Sequence, residues 1–246
     1  MTSDKRPEVI DQMPGARAAD TLFRRFVEMI NSGELPEGQP LPPEREIVQA
    51  YGVSRTVVRE AVLALSNKGL VEAKPRFRPV VRKPSYDTAM ATVGNVVGRL
   101  LSEPGGVYNL FETRIMIEVG LARQAAQSAK PDDLEQLRAA LEANAKTVRD
   151  SAAFYLTDMA FHSLLYHIPR NPVLPAIHRA YVTWLEPQWS RMPRLTQRNR
   201  DNHAAHCAIF DAIVARNPDG AEHALRAHLD DAWQQVRATF EKDETP

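Results

Sequence analysis

The stretch 41-LPPEREIVQAYGVSRTVVREAVLALSNKGL-70 predicts two short helices joined by a tight turn. Pro42 and Pro43 suit the first turn of a helix, where a proline removes no hydrogen bond that the helix needs. Gly52 can adopt the left-handed conformation that ends a helix, and Ser54 is a favourable N-cap for the next helix. The apolar residues of the second helix recur at helical spacing, so that one face packs inward: Val58, Ala61, Val62 and Leu65. This pattern is typical of a helix-turn-helix.

Cationic side chains lie on the other face of the second helix. Arg55 and Arg59 are one turn apart and, with Thr56, point away from the apolar face. The second helix of such a motif enters the major groove of DNA, where arginine pairs with guanine or phosphate. From Leu41 to Lys83 the chain holds nine Lys or Arg and four Glu, although the net charge of the whole chain is 0. Such a local basic patch indicates DNA binding.

The sequence after the second helix predicts a wing. Residues 71–73 and 80–82 can pair as a short hairpin with Arg76 and Arg78 at its tip. An amphipathic helix pair whose arginines contact only solvent is the alternative explanation of the helices. The wing, the capping residues and the arginine positions together favour DNA binding over that alternative.

Length and composition predict an ordinary globular protein of two domains. The chain has 246 residues, of which 43% are hydrophobic and 25% charged, and this suits two modest domains. Its single cysteine, Cys207, excludes an internal disulfide. Residues 1–14 are polar and are predicted to form a mobile arm. Because we find neither a signal peptide nor an apolar run of about 20 residues, we expect a cytoplasmic protein without a membrane span.

The rest of the chain predicts an all-α antiparallel bundle, so the fold class is mainly α. We expect a winged helix-turn-helix domain at 15–83, a linker at 84–90 and a helical domain at 91–241. Breaks that contain proline separate the helices of the second domain, because proline is tolerated at helix starts and not in helix interiors. The predicted helices span about 88–101, 107–129, 131–149, 152–167, 172–188, 197–217 and 218–241.

All seven histidines lie between His162 and His228. Asp158 and His162 have i, i+4 spacing, so both side chains can point at one spot. His206 and His228 lie on later helices that a bundle can bring to the same place. One carboxylate and three imidazoles form a suitable site for zinc or a similar divalent ion. The alternative is a helix-surface ion pair with unrelated core histidines.

Two motifs of the first domain resemble the GntR family of bacterial transcription regulators: 43-PERE-46 and 52-GVSRTVVREA-61. The resemblance implies that Arg45, Arg55 and Arg59 contact DNA, and we expect Ser54 and Thr56 to contact it beside them. Family wings usually carry a glycine-rich tip. The tip 74-KPRFRP-79 has no glycine and two prolines, so this wing is predicted to be shorter or differently aimed.

The second domain resembles the effector domain of the FadR subfamily, known as the FCD domain. That resemblance rests on Asp158-x3-His162, on His206 with the apolar residues after it, and on His228-Leu229. It implies that these four side chains bind a divalent metal beneath a small carboxylate effector. Arg114, followed by Glu118 four residues later, matches the arginine that faces the effector carboxylate. From the sequence alone, a surface pair of Arg114 with Glu118 explains this spacing as well.

A narrower resemblance is to the NanR-like subgroup of sialic-acid-responsive repressors. It rests on 101-LSEPGG-106, 168-IPRNP-172 and 176-AIH-178. Together the resemblances imply a homodimeric repressor that binds operator DNA and responds to sialic acid or another sugar acid. Two other functions remain open: a regulator for which metal itself is the signal, and a metal-dependent hydrolase with a DNA-binding appendage.

Overall fold

The computed structural model describes residues 15–82, 85–189 and 191–240. The chain forms two compact units that divide between Thr92 and Val93. The predicted arm at 1–14, residues 83 and 84 at the predicted domain end and linker, and residue 241 lie outside the described residues. The mainly helical fold predicted from the sequence is confirmed.

The N-terminal unit begins with three helices: α1 (Gly15–Asn31), α2 (Glu44–Tyr51) and α3 (Arg55–Asn67). The capping residues of the helix-turn-helix act as predicted. Gly52 has a φ of 68° and donates its backbone N–H to the carbonyl oxygen of Val48, which ends α2. The Ser54 hydroxyl oxygen accepts a hydrogen bond from the backbone N–H of Val57 at 3.3 Å and so begins α3. Both ends of the turn are therefore fixed by local hydrogen bonds.

A small apolar core holds this unit together. Leu22 and Phe26 of α1 and Leu65 of α3 have no exposed surface, and α1 packs directly on α3. The charged face of α3 is left exposed because its apolar face is fully used in this core.

The wing consists of two strands of two residues each, β1 (Val71–Glu72) and β2 (Val80–Val81). They pair antiparallel, with Val71 opposite Val81. Each strand is one residue shorter than predicted. Pro75 and Pro79 lie inside the loop, and a proline cannot donate a hydrogen bond to a strand ladder. A β-bridge from Pro40 to Val80 adds a third segment to the base of the wing.

The remaining helices are α4 (Tyr86–Leu100), α5 (Gly106–Ser128), α6 (Pro131–Thr147), α7 (Ser151–His167), α8 (Val173–Trp189), α9 (Thr196–Val214) and α10 (Pro218–Phe240). α5 packs against α9 and α10, and α6 packs against α7 and α9. Fully buried apolar side chains such as Phe111, Phe161 and Ile209 form the core. Among the described residues, none of the helices combines the length and apolar character that a membrane span requires.

Helix ends differ from the predicted ones by a few residues. α4 begins at Tyr86, so much of the stretch 84–90 predicted as a linker is helical. Ser85 accounts for the early start, because its hydroxyl oxygen accepts a hydrogen bond from the backbone N–H of Thr88 at 3.1 Å, as an N-cap does.

The helix predicted at 197–217 ends three residues early, at Val214. Arg216 has a φ of 53°, in the left-handed region. The backbone N–H of Asn217 turns back to the carbonyl oxygen of Ala212 at 3.0 Å. A left-handed residue with such a bond is a common way for a helix to end.

Candidate metal centre, effector cavity and DNA-binding surface

Four side chains from three helices meet inside the C-terminal unit. Asp158 and His162 lie one turn apart on α7, while His206 lies on α9 and His228 on α10. One potential ligand atom from each lies within 4.8 Å of those from the other three. The Nε2 atom of His228 is 3.2 Å from the Nε2 atoms of both His162 and His206. The fold thus brings together the four residues that the sequence predicts as metal ligands.

Hydrogen bonds behind two of the rings set their orientation. Nδ1 of His162 is 2.6 Å from a carboxylate oxygen of the buried Glu118. Nδ1 of His206 is 3.2 Å from the amide oxygen of Asn144. Because both partners are acceptors, each Nδ1 carries the proton and each Nε2 presents a lone pair to the cluster. This is the arrangement that fixes the tautomer of a metal-binding histidine.

The electrostatics of the cluster fit a cation. Burial lowers the pKa of His206 and His228 well below the ordinary value, so both imidazoles stay neutral. Oδ1 of Asp158 is buried without a hydrogen-bond partner among the described residues, 3.4 Å from Nε2 of His206. Neutral imidazoles and a carboxylate meet here with no hydrogen-bond donor between them. Several acceptor atoms therefore lack a partner. A divalent ion would satisfy them together, and the residues present therefore fit a metal.

A cavity of about 310 Å³ opens beside the cluster. Asp158, His162 and His228 form part of its lining, together with Arg114. Its volume is at the lower end of the roughly 300–1,000 Å³ that small-molecule sites occupy. Arg114 donates its Nε–H to Glu118 at 2.7 Å, and its side chain is only 14% exposed. The pair predicted as a possible surface contact exists, but it is buried at this cavity.

Glu118 links the cluster of four potential metal ligands to the cavity. Its carboxylate accepts hydrogen bonds from Arg114, from His162 and, at 3.1 Å, from the hydroxyl of Tyr166. Burial alone would raise the pKa of Glu118, but Arg114 and His162 lower it far below its ordinary value. Glu118 is therefore ionised, and its three donors fix its position.

Two further polar groups line the cavity. The Tyr155 hydroxyl is buried and has no hydrogen-bond partner among the described residues. Burial raises the pKa of Tyr155 to about 12, so the hydroxyl remains a proton donor. Arg198 is half-buried, and burial lowers its pKa. A buried hydroxyl without a partner and a guanidinium in the same cavity indicate a ligand that is itself polar and carries acceptors.

The predicted DNA-contacting face of α3 is exposed. The side chains of Arg55 and Arg59 are 72% and 71% exposed. Glu44 of α2 pairs with Arg59 at 3.1 Å and lies 3.9 Å from Arg55. Exposed ion pairs of this kind contribute about 0–1 kcal/mol, so DNA phosphates can displace Glu44 at little cost. Three other predicted contacts are also exposed: Arg45, Ser54 and Thr56.

The wing tip is a tight turn that begins with Pro75. The backbone N–H of Phe77 donates to the carbonyl oxygen of Lys74 at 3.1 Å, which closes a four-residue turn. Arg76 has a φ of 69°. Proline at the second position and a left-handed residue at the third define a type II turn, whose third position favours glycine. Arg76 thus occupies a turn position that favours glycine, at a conformational cost of about 1–2 kcal/mol.

Family models match both units of the chain. The model described as bacterial regulatory proteins, gntR family, matches residues 18–81, and the FCD domain model matches residues 109–231. The chain is 38% identical to the HTH-type transcriptional repressor NanR of Cronobacter sakazakii, over 98% of this chain and 94% of that protein. It is 39% identical to NanR of Klebsiella aerogenes, over 91% and 85% of the two chains. The chain belongs to the GntR family.

Two solved structures share the fold. A GntR protein of Streptococcus agalactiae aligns with a TM-score of 0.56 and 24% identity, over 89% of this chain and 99% of that one. McbR/YncC of E. coli aligns with a TM-score of 0.50 and 17% identity, over 92% and 98% of the two chains. At these identities the similarity establishes the fold alone.

The family membership decides the class of function. This GntR protein is a DNA-binding transcription regulator that a small ligand modulates, and it is not an enzyme. The hydrolase with a DNA-binding appendage, which the three histidines and the aspartate left open, is therefore set aside.

Several residues of the site are absent from the sequence-based prediction. The sequence does not identify Asn144 behind His206, or Tyr155 and Arg198 in the cavity, and it identifies Glu118 only as a partner of Arg114. The i, i+4 spacing of Arg114 and Glu118 was the one available signal. Asn144 and Tyr155 give none, because their roles depend on contacts between helices that are far apart in the sequence.

Proposed function

We propose that this GntR regulator represses transcription from an operator and releases it when a small carboxylate metabolite binds beside a divalent metal. The observation that carries the proposal is the junction of the cavity with the four converging side chains. The potential cation ligands and a guanidinium face the same cavity, as recognition of a carboxylate requires.

Asp158, His162, His206 and His228 would hold the metal, and zinc is the expected ion because imidazole ligands suit it. When bound, the ion would supply a positive charge and open coordination positions at the floor of the cavity. Glu118 and Asn144 would keep two of the imidazoles oriented toward it.

Arg114 would contact the effector carboxylate through the nitrogens that Glu118 does not use. The Tyr155 hydroxyl and the Arg198 guanidinium add a donor and a cation to the same cavity. Together they suit an acid that also carries hydroxyl groups. Sialic acid is the first candidate, from the NanR-like resemblance, and another sugar acid is the second.

Operator DNA would be contacted by seven side chains: Arg45, Ser54, Arg55, Thr56, Arg59, Arg76 and Arg78. We assign this role to residues 15–83, a linking role to 84–90, and metal binding, sensing and dimerisation to 91–241. Helix-turn-helix proteins bind paired half-sites as dimers, so light scattering should give twice the monomer mass. A monomer both alone and on operator DNA would contradict the homodimer.

The central experiment separates metal, effector and DNA binding. Elemental analysis of dialysed protein should give one zinc per chain, and a thermal-shift screen of sugar acids should find a ligand that raises the melting temperature. His206→Ala should lose both zinc and effector response and keep operator binding.

Two variants of Arg114 isolate its role. Arg114→Ala should keep zinc and lose effector affinity, although it also leaves Glu118 without its cation. Arg114→Lys restores the charge beside Glu118 but cannot form a bidentate pair with a carboxylate, so it should fold normally and still bind the effector poorly. Metal-free protein with a full effector response would refute the site. Operator affinity that changes with zinc alone would show that metal is the signal.

A further inference from the structure

The wing tip presents the most exposed large hydrophobic side chain of the described residues. The ring of Phe77 is 74% exposed. Its neighbours Pro75, Arg76 and Arg78 are exposed as well. Phe77 lies outside the apolar core of its unit, so its position is not explained by packing in that core.

The tip is held firmly even though it projects. The type II turn fixes residues 74–77, and Pro79 accepts a backbone hydrogen bond from Leu41 at 2.8 Å. The β-bridge of Pro40 with Val80 adds a second attachment. A ring carried on such a turn keeps its direction, which a wedge requires. The left-handed backbone conformation of Arg76 also favours a functional role for the tip, because strained backbone conformations persist where function needs them.

Charge identifies the surface that the tip fits. At the base of the wing, Glu72 pairs with Lys74 and Arg82. Among the described residues no acid is paired with Arg76 or Arg78. The tip therefore combines two unpaired cations with one apolar ring, on a unit whose outer face is basic. Polyanionic DNA is the complementary partner.

We propose that Phe77 is a wedge that enters the minor groove of the operator and partly unstacks a base step, while Arg76 and Arg78 contact the walls of the groove. The minor groove, about 6 Å wide, admits side chains and not a whole ribbon. Apolar wedges flanked by cations kink DNA at such sites. We then expect the operator to carry a pyrimidine–purine step under each wing. The protein selects this step because the step is flexible and easily kinked. This inference rests on the proposed docking of α3 in the major groove.

The test uses full-length protein and operators selected by that protein from a random duplex library. Duplexes carry 2-aminopurine at candidate steps, which brightens on unstacking, and end labels that report bending by energy transfer. Phe77→Ala should lower operator affinity about tenfold and abolish both the brightening and the bend at saturating protein. Phe77→Leu should retain most of both signals, because leucine is also a wedge residue.

Two controls separate this inference from the docking of α3. Val214→Ala removes an exposed apolar side chain of the C-terminal unit and should change nothing. Arg55→Ala should weaken binding without altering the bend of the bound complex. A Phe77→Ala complex that keeps the bend and the brightening, or that binds with unchanged affinity, overturns the wedge. A wild-type complex without bend or brightening also overturns it. Unchanged binding by both Arg55→Ala and Arg59→Ala would instead refute the docking of α3.

Discussion

Replacement of Glu118 by glutamine tests the buried network that joins the cavity to the histidine cluster. The substitution keeps the shape of the side chain and removes its charge. Arg114, whose side chain is 14% exposed, then lacks a counter-charge, and His162 loses a carboxylate acceptor at 2.6 Å. Breaking one partner of a buried ion pair costs about 3–5 kcal/mol. For a unit of this size that lowers the melting temperature by about 6–20 °C.

The same change should weaken zinc binding. The carboxylate at Nδ1 is what presents the Nε2 lone pair of His162 to the cluster, whereas an amide can donate as well as accept. Loss of such a partner lowers metal affinity by roughly 10–100-fold. Competition with a chromogenic chelator measures this affinity directly.

The assay and its control are both available in this chain. All three tryptophans lie in α8 and α10, so their fluorescence in guanidinium reports on the C-terminal unit. Asp133→Asn is the matched control, because Asp133 is buried and pairs with Arg170 at 2.7 Å, but Arg170 is 52% exposed. That variant should lose less stability and bind zinc as the wild type does. Equal losses in the two variants, or an unchanged zinc affinity in Glu118→Gln, would refute the reasoning.

Three more predictions concern the DNA-binding face and the response to pH. Arg55→Ala or Arg59→Ala should lose about 1–3 kcal/mol of operator binding, specific to one base position if the arginine reads guanine; gel shifts with base-substituted operators measure it. A double Arg76→Ala, Arg78→Ala variant should flatten the dependence of log affinity on log salt by up to about 1.8 for each wing, and so by up to about 3.6 for a dimer, and an unaltered slope would mean that the wing does not touch DNA. Burial lowers the pKa of His178 to about 4. The unfolded chain therefore binds more protons below about pH 6.5, so stability falls as pH drops toward 4, by roughly 3 kcal/mol from this group. His178→Gln should show a smaller fall in guanidinium titrations at pH 7 and pH 5.

Local signals in the sequence were sufficient for the helix-turn-helix and for part of the metal site. The left-handed Gly52 and the N-cap Ser54 act through bonds to residues three or four positions away, which is why their spacing can be read directly. Asp158 and His162 are likewise one turn apart. The approach of His206 and His228 to them is a property of helix packing. A helical bundle makes that approach possible without requiring it, and the resemblance to the FadR subfamily is what favours these two over the other histidines.

The parts that escaped prediction depend on contacts over long sequence separations. Glu118 reaches His162 across 44 positions, and Asn144 reaches His206 across 62. No periodicity encodes such pairs. The wing is short, as the two prolines of its tip predict. The left-handed Arg76 could not be foreseen, since arginine rarely adopts that conformation.

The charges around the cavity argue that effector binding depends on the metal. Three cations line it, Arg114, Arg194 and Arg198, and three acids lie in or beside the lining, Asp158, Glu186 and Glu118. The formal sum is zero, so a metal-free cavity offers a carboxylate no net attraction, and Arg114 is already neutralised by Glu118. A bound divalent ion would make the sum positive in a poorly solvated space, where unscreened charge acts strongly. A carboxylate effector found by thermal shift should therefore bind much more weakly after chelation. A neutral analogue of the same acid should lose far less binding affinity after chelation. Equal losses of affinity for acid and analogue would show that the metal acts through the fold of the cavity rather than through the charge of the ion.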